Sequence, residues 1–122
     1  SFAYLHEGHL SMMNKAKEIV EAKGYKVAGG YFSFSHDNYV LTKDSNMPSL
    51  NQRVGYATEK LKKSSWLMPN LWEALLPDVV NFTTVITYFE KHFKNHKVFY
   101  VFGKDNLEFA WAFKHYGQAV YV

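Results

Sequence analysis

Apolar and polar positions along this chain follow two rhythms. Over residues 9–23, Leu10, Met13, Ala16, Ile19 and Val20 recur at spacings of three and four, with Lys15, Lys17, Glu18, Glu21 and Lys23 on the other face. That period predicts an amphipathic helix, and Gly24 is a natural stop. Residues 25–32, rich in Val and aromatics, predict a strand with Gly29 and Gly30 in its later half. Residues 33–48 are polar and predict a loop, long enough to suggest a functional one. A second helix is expected from Pro48 or Ser49 to near Lys63, burying Leu50, Val54, Ala57 and Leu61. A short strand at 66–68 and an irregular stretch at 69–77 follow. A third helix is expected over 78–96, with Val79, Phe82, Val85, Ile86, Phe89 and Phe93 at helical spacing. The continuous apolar run 98–102 suits a strand buried on both faces of a parallel sheet. A fourth helix is expected after Lys104 and a last strand at 119–122.

Helices thus alternate with strands throughout. Such alternation predicts an α/β fold with a parallel sheet and right-handed crossovers. Ligands in such sheets bind at the carboxyl ends of the strands. The candidate positions are the loops after Tyr31, Met68 and Phe102, and the start of the first helix.

Composition narrows the class. The chain has 122 residues, one domain's worth; 48% apolar and 20% charged residues exclude a disordered chain. The absence of cysteine excludes a disulfide scaffold, a thiol nucleophile and a cysteine zinc site, and fits an intracellular, reducing compartment. No apolar run approaches the roughly 18 residues of a membrane span, and no signal peptide is visible, so a soluble chain with no membrane partner is expected. Net charge is +3 with a pI near 9.0, carried by scattered lysines and one arginine, Arg53. Without a dense basic block no nucleic-acid partner is expected, and a small anionic ligand fits the balance.

The most pointed chemistry lies at the first helix start, in Phe2-Ala3-Tyr4-Leu5-His6-Glu7-Gly8-His9. Gly8 allows close backbone approach, and a helix N-terminus offers free N–H groups and a positive dipole end suited to phosphate. Two imidazoles there can donate to phosphate oxygens and stabilise charge during phosphoryl transfer. Read by themselves, His6 and His9 are more readily ordinary loop and cap residues than ligands. His92 and His96 stand four apart among lysines and read as a solvated face; no metal site is expected.

This run resembles the HxGH signature of the nucleotidyltransferase superfamily: Phe2, His6, Gly8 and His9 match the longer pattern GxFxPxHxGH, with Tyr4 where proline is usual. Further stretches resemble eukaryotic-type nicotinamide or nicotinate mononucleotide adenylyltransferases. They are Gly30-Tyr31-Phe32-Ser33 with Asp37, Tyr39 and Arg53; Ser65-Trp66 with Leu71-Trp72-Glu73; and Gly103-Lys104-Asp105, similar to a GxD motif.

The resemblance implies a Rossmann-like, doubly wound, three-layer α/β/α domain over residues 1–122. Its first strand, its C-terminal part and a second phosphate motif of the SxTxxR type are missing, so a fragment is expected, with activity of the chain alone in doubt. It implies adenylyl transfer from ATP to nicotinamide or nicotinate mononucleotide, giving NAD or deamido-NAD and pyrophosphate, with Mg²⁺ held mainly through the ATP phosphates. Other members of the superfamily acting on phosphopantetheine, a flavin or a phospho-alcohol stay open, as does a non-catalytic nucleotide-binding domain. By carry-over His6 and His9 are catalytic, and Phe2, His6, Gly8, His9, Gly103 and Asp105 face ATP. Ser33, Tyr39, Lys43, Trp72, Glu73 and Trp111 are the substrate candidates, with Trp72 placed to stack on a flat ring. Ser33 and Tyr39 read equally as loop residues, Trp111 as core beside Phe109 and Phe113, and Asp105 as a helix cap. Self-association is common among such enzymes and is a further expectation.

Overall fold

The computed structural model describes residues 5–43, 45–103 and 118–122. The chain divides into two units: residues 1–10 with 28–79, and residues 11–27 with 80–122. One helix, α1 (Glu7–Ala22), begins in the first unit and continues in the second.

In the first unit β1 (Gly30–Ser33) pairs in parallel with β2 (Leu67–Asn70), register running from Gly30 opposite Leu67 to Ser33 opposite Asn70. Parallel neighbours cannot be joined by a tight turn. The crossover carries two helices, α2 (Asp37–Lys43) and α3 (Leu50–Leu61). Gly30 is required by contact, since a Cβ there would lie 2.6 Å from the Trp66 ring. Ser49 caps α3 reciprocally: its hydroxyl accepts from the Gln52 N–H, and the Gln52 side chain accepts from the Ser49 N–H. Such caps are worth about 1 kcal/mol.

Two expectations for this unit need correction. Residues 33–48 hold a helix, α2, rather than a plain loop; it is seven residues long with one fully buried apolar side chain, Val40, too short to show a period. In α3 the buried face is Arg53, Ala57 and Leu61, with Val54 half-buried. Arg53 takes the core position because its guanidinium finds acceptors there.

In the second unit β3 (Phe99–Phe102) pairs in parallel with β4 (Gln118–Tyr121). Ala16, Val20 and Val120 form its buried centre, flanked by Ile19, Val27, Phe99, Val101 and Val122. The helix α4 (Phe82–His92) buries Val85 and Ile86 and is capped by Asn81, whose side chain accepts from the Thr83 N–H. It is shorter than the expected 78–96, because the Asn81 cap sets its start and the C-cap, Phe93, leaves helical geometry. Gly24 ends α1 at φ +94, with its N–H on the Glu21 carbonyl and the Tyr25 N–H on the Val20 carbonyl. That is a Schellman closure, which needs the left-handed conformation glycine tolerates.

Here too two readings change. Residues 25–29 lie outside any strand ladder, and strand structure starts at Gly30; Val27 instead packs into the second unit. In β3 only Phe102 is buried while Phe99, Tyr100 and Val101 are half-buried. Its described ladder runs to β4 alone, and burial on both faces belongs to a strand between two neighbours. The α/β class with parallel strands holds, with a helix-bearing crossover between β1 and β2; the fourth helix expected after Lys104 lies outside the described residues, and the described ladders form two pairs, β1–β2 and β3–β4. Among the described residues, no helix is long and apolar enough to cross a membrane.

Candidate functional site

At the start of α1, His6 sits at the cap position: its carbonyl accepts from the N–H groups of His9 and Leu10 at 3.0 and 3.3 Å. Its ring turns back over the helix, and Nδ1 accepts the Gly8 N–H at 3.0 Å. The His9 ring does the reverse, its Nδ1 accepting the His6 N–H at 3.1 Å. The two rings stack with centroids 3.8 Å apart. A backbone N–H can only donate, so Nδ1 is the acceptor in both rings, and the matching neutral tautomer carries its proton on Nε2. Burial, and then the nearness of His6, hold the His9 pKa below its ordinary 6.5. A Cβ on Gly8 would lie 2.8 Å from His6 Cε1 and 2.9 Å from Nδ1, so glycine makes room for the ring. The cap reading and the ligand reading are compatible: the cap uses Nδ1, and Nε2 takes no part in it.

A second group forms where β1 and β2 end. Ser33, last in β1, donates its hydroxyl to Glu73 Oε1 at 2.9 Å. Asn70, last in β2, accepts the Trp72 N–H on its side chain at 3.0 Å and the Phe34 N–H on its carbonyl at 3.2 Å. Trp72 is thereby held between two tied neighbours, and is half-buried. Burial pushes the Glu73 carboxyl above its ordinary range, partly offset by the Ser33 hydrogen bond and the charge of His36. Parallel strand ends are where ligands sit in such folds.

The structure thus brings His6, Gly8 and His9 together, and Ser33 with Glu73 beside Trp72. Tyr39 lies on α2, about one-third exposed. Gly103 directly follows β3 in the second unit. Phe2, Asp105 and Trp111 lie outside the described residues, as does the side chain of Lys43.

Two further residues stand outside the candidate site residues expected from the sequence. His36 caps α2 as His6 caps α1: Nδ1 accepts the Asn38 N–H at 3.0 Å, and its carbonyl accepts from Tyr39 and Val40. The recurring signal is a histidine one residue before a helix with an acid in its first turn. Arg53 is the second; its side chain is fully buried and it pairs with Asp37 at 2.7 Å. Among the described residues, no group of three or more metal-ligating side chains forms.

The molecule is therefore a parallel α/β protein with polar side chains gathered at its first strand ends and a histidine pair at a helix start. No protein-family model matches the chain. It is related in sequence to mononucleotide adenylyltransferases. It is 31% identical over 99 residues to nicotinamide/nicotinic acid mononucleotide adenylyltransferase 1 of Saccharomyces cerevisiae, covering 80% of this chain and 23% of that protein. It is 32% identical over 79 residues to nicotinamide/nicotinic acid mononucleotide adenylyltransferase of Oryza sativa, covering 65% of this chain and 30% of that protein. The chain spans less than a third of the length of the curated relatives it matches.

Proposed function

We propose that this chain supplies substrate-binding elements for adenylyl transfer from ATP to nicotinamide or nicotinate mononucleotide, yielding NAD or deamido-NAD and pyrophosphate. The observation that carries the reading is the stacked His6–His9 pair at the start of α1, with both Nδ1 atoms engaged by backbone N–H groups. Rings fixed in that way offer Nε2–H donors to phosphate oxygens at the positive end of a helix. Transfer by direct attack of the mononucleotide phosphate on the ATP α-phosphorus asks for positioning and charge stabilisation, which such donors supply. The names of the two relatives support the substrate pair.

In this reading Phe2, Gly8, Gly103 and Asp105 join the histidines around ATP. Ser33, Tyr39, Lys43, Trp72, Glu73 and Trp111 form the mononucleotide side. Mg²⁺ enters with ATP: a ring that gives Nδ1 to a backbone N–H and keeps its proton on Nε2 suits a phosphate oxygen better than a metal ion. The ion neutralises phosphate charge, and the protein's own donors orient the chain of phosphates.

Isothermal titration with nicotinamide mononucleotide, nicotinate mononucleotide and phosphopantetheine tests the assignment, together with an assay of NAD formation. Binding of the pyridine mononucleotides in preference to phosphopantetheine is expected. His9→Ala should weaken ATP binding by about tenfold, or roughly 1.4 kcal/mol. Equal affinity for all three ligands, or ATP binding untouched by His9→Ala, would overturn the proposal.

A further inference from the structure

We infer that Arg53 is a positioning residue for the mononucleotide side of the site: it clamps both ends of the crossover segment 35–48 and so fixes α2, which carries Tyr39. This rests on the function proposed above.

Arg53 is 1% exposed, the only charged residue among the buried core side chains described. All three guanidine nitrogens have acceptors. Nη1 donates to the Ser35 carbonyl at 3.0 Å, Nη2 to Asp37 Oδ1 at 2.7 Å, and Nε to the Pro48 carbonyl at 3.3 Å. Ser35 and Asp37 flank His36, the cap of α2, and Pro48 stands just before Ser49, the cap of α3. One side chain thus grips the start of α2 and the end of the segment that follows it.

The seven-residue α2 is too short to hold itself. Val40 is its one buried apolar anchor among the described residues, while Asn38, Tyr39, Leu41 and Thr42 face solvent. Its placement therefore depends on Val40, the His36 cap and the Arg53 grip. Burying a guanidinium is strongly unfavourable unless its donors are met, so the clamp holds as a unit or not at all. A lysine keeps the charge but not the planar fork, and cannot satisfy acceptors in these three directions together. Since Arg53 is enclosed, it does not itself reach a ligand; it acts through α2.

Arg53→Lys and the milder Asp37→Asn test this, read by hydrogen exchange along the chain and by separate titrations with nicotinamide mononucleotide and ATP. In Arg53→Lys the amides of α2 should exchange about tenfold faster, while β1, β2 and α3 stay within about twofold of the parent. Mononucleotide affinity should fall about tenfold, and ATP affinity change less than about twofold. Asp37→Asn keeps an acceptor and the fold, and should show a smaller shift confined to the same amides. Unchanged exchange in α2, loosening of α3 and both strands in step with it, or an equal loss of ATP affinity would overturn the inference. If the parent chain binds no pyridine mononucleotide, the proposed function fails, and the exchange data decide the clamp by themselves.

Discussion

Replacing Gly8 by alanine sets two known effects against each other. Gly8 is the second residue of α1, and glycine in a helix costs up to about 1 kcal/mol relative to alanine. Taken alone, the substitution should stabilise. The new methyl, however, would sit 2.8 Å from His6 Cε1 and 2.9 Å from Nδ1. The ring has to swing away, breaking its 3.0 Å bond to the Gly8 N–H and its stack on His9. Loss of a cap costs about 1 kcal/mol, and loss of a ring stack about 0.5–1 kcal/mol more. The net expectation is a destabilisation of at least about 0.5–1 kcal/mol. Gly55 provides the control: it is exposed within α3, and a Cβ there meets nothing within 4 Å. Gly55→Ala should raise stability by about 0.5–1 kcal/mol, or roughly 2–5 °C in Tm. Calorimetric unfolding of both variants gives the comparison, and titration with ATP reads the site, where Gly8→Ala should lose about tenfold in affinity. If Gly8→Ala gains as much stability as Gly55→Ala and keeps its ATP affinity, the argument that Gly8 exists to seat the His6 ring is refuted.

Further outcomes are expected. Gly24→Ala should destabilise by about 1–2 kcal/mol in urea unfolding, because its φ of +94 is strained for any residue with a Cβ although the space beside it is empty; a neutral result would mean the α1 terminus rearranges freely. Glu73 should impose a pH slope. Its folded pKa lies above the ordinary 4.5, so between that value and the raised one the native chain holds more protons than the unfolded chain, and stability falls as pH rises. Glu73→Gln should flatten that descent in urea midpoints across the acid range, and parallel slopes in the two proteins would exclude burial as the cause.

The α/β class was legible because α1, α3 and α4 are long enough to repeat their apolar spacing, and because β2, β3 and β4 fall on compact runs. The histidine pair was legible as a spacing before a helix, though not the reciprocal use of Nδ1, which depends on ring rotation rather than on residue order. Other features were hidden for physical reasons. The single anchor of α2, Val40, leaves no period to detect. Arg53 reads as a polar interruption next to Val54, because only the folded crossover brings Ser35, Asp37 and Pro48 to its fork. Residues 25–29 have the composition of a strand, yet pairing begins at Gly30, where the Trp66 carbonyl accepts the first N–H. The Ser33–Glu73 bond joins residues forty apart in sequence and follows from parallel register, which no local pattern encodes.

The reciprocal caps at the start of α1 have a consequence for proton inventory. The His9 ring is held as a neutral donor before any anion arrives, since burial lowers its pKa and protonating its Nδ1 would set it against the His6 N–H. An anion received there is bound without proton uptake by His9. Its measured binding enthalpy should then carry no contribution from this ring that scales with the ionisation heat of the buffer. Calorimetry in buffers of contrasting ionisation heat would display that independence directly.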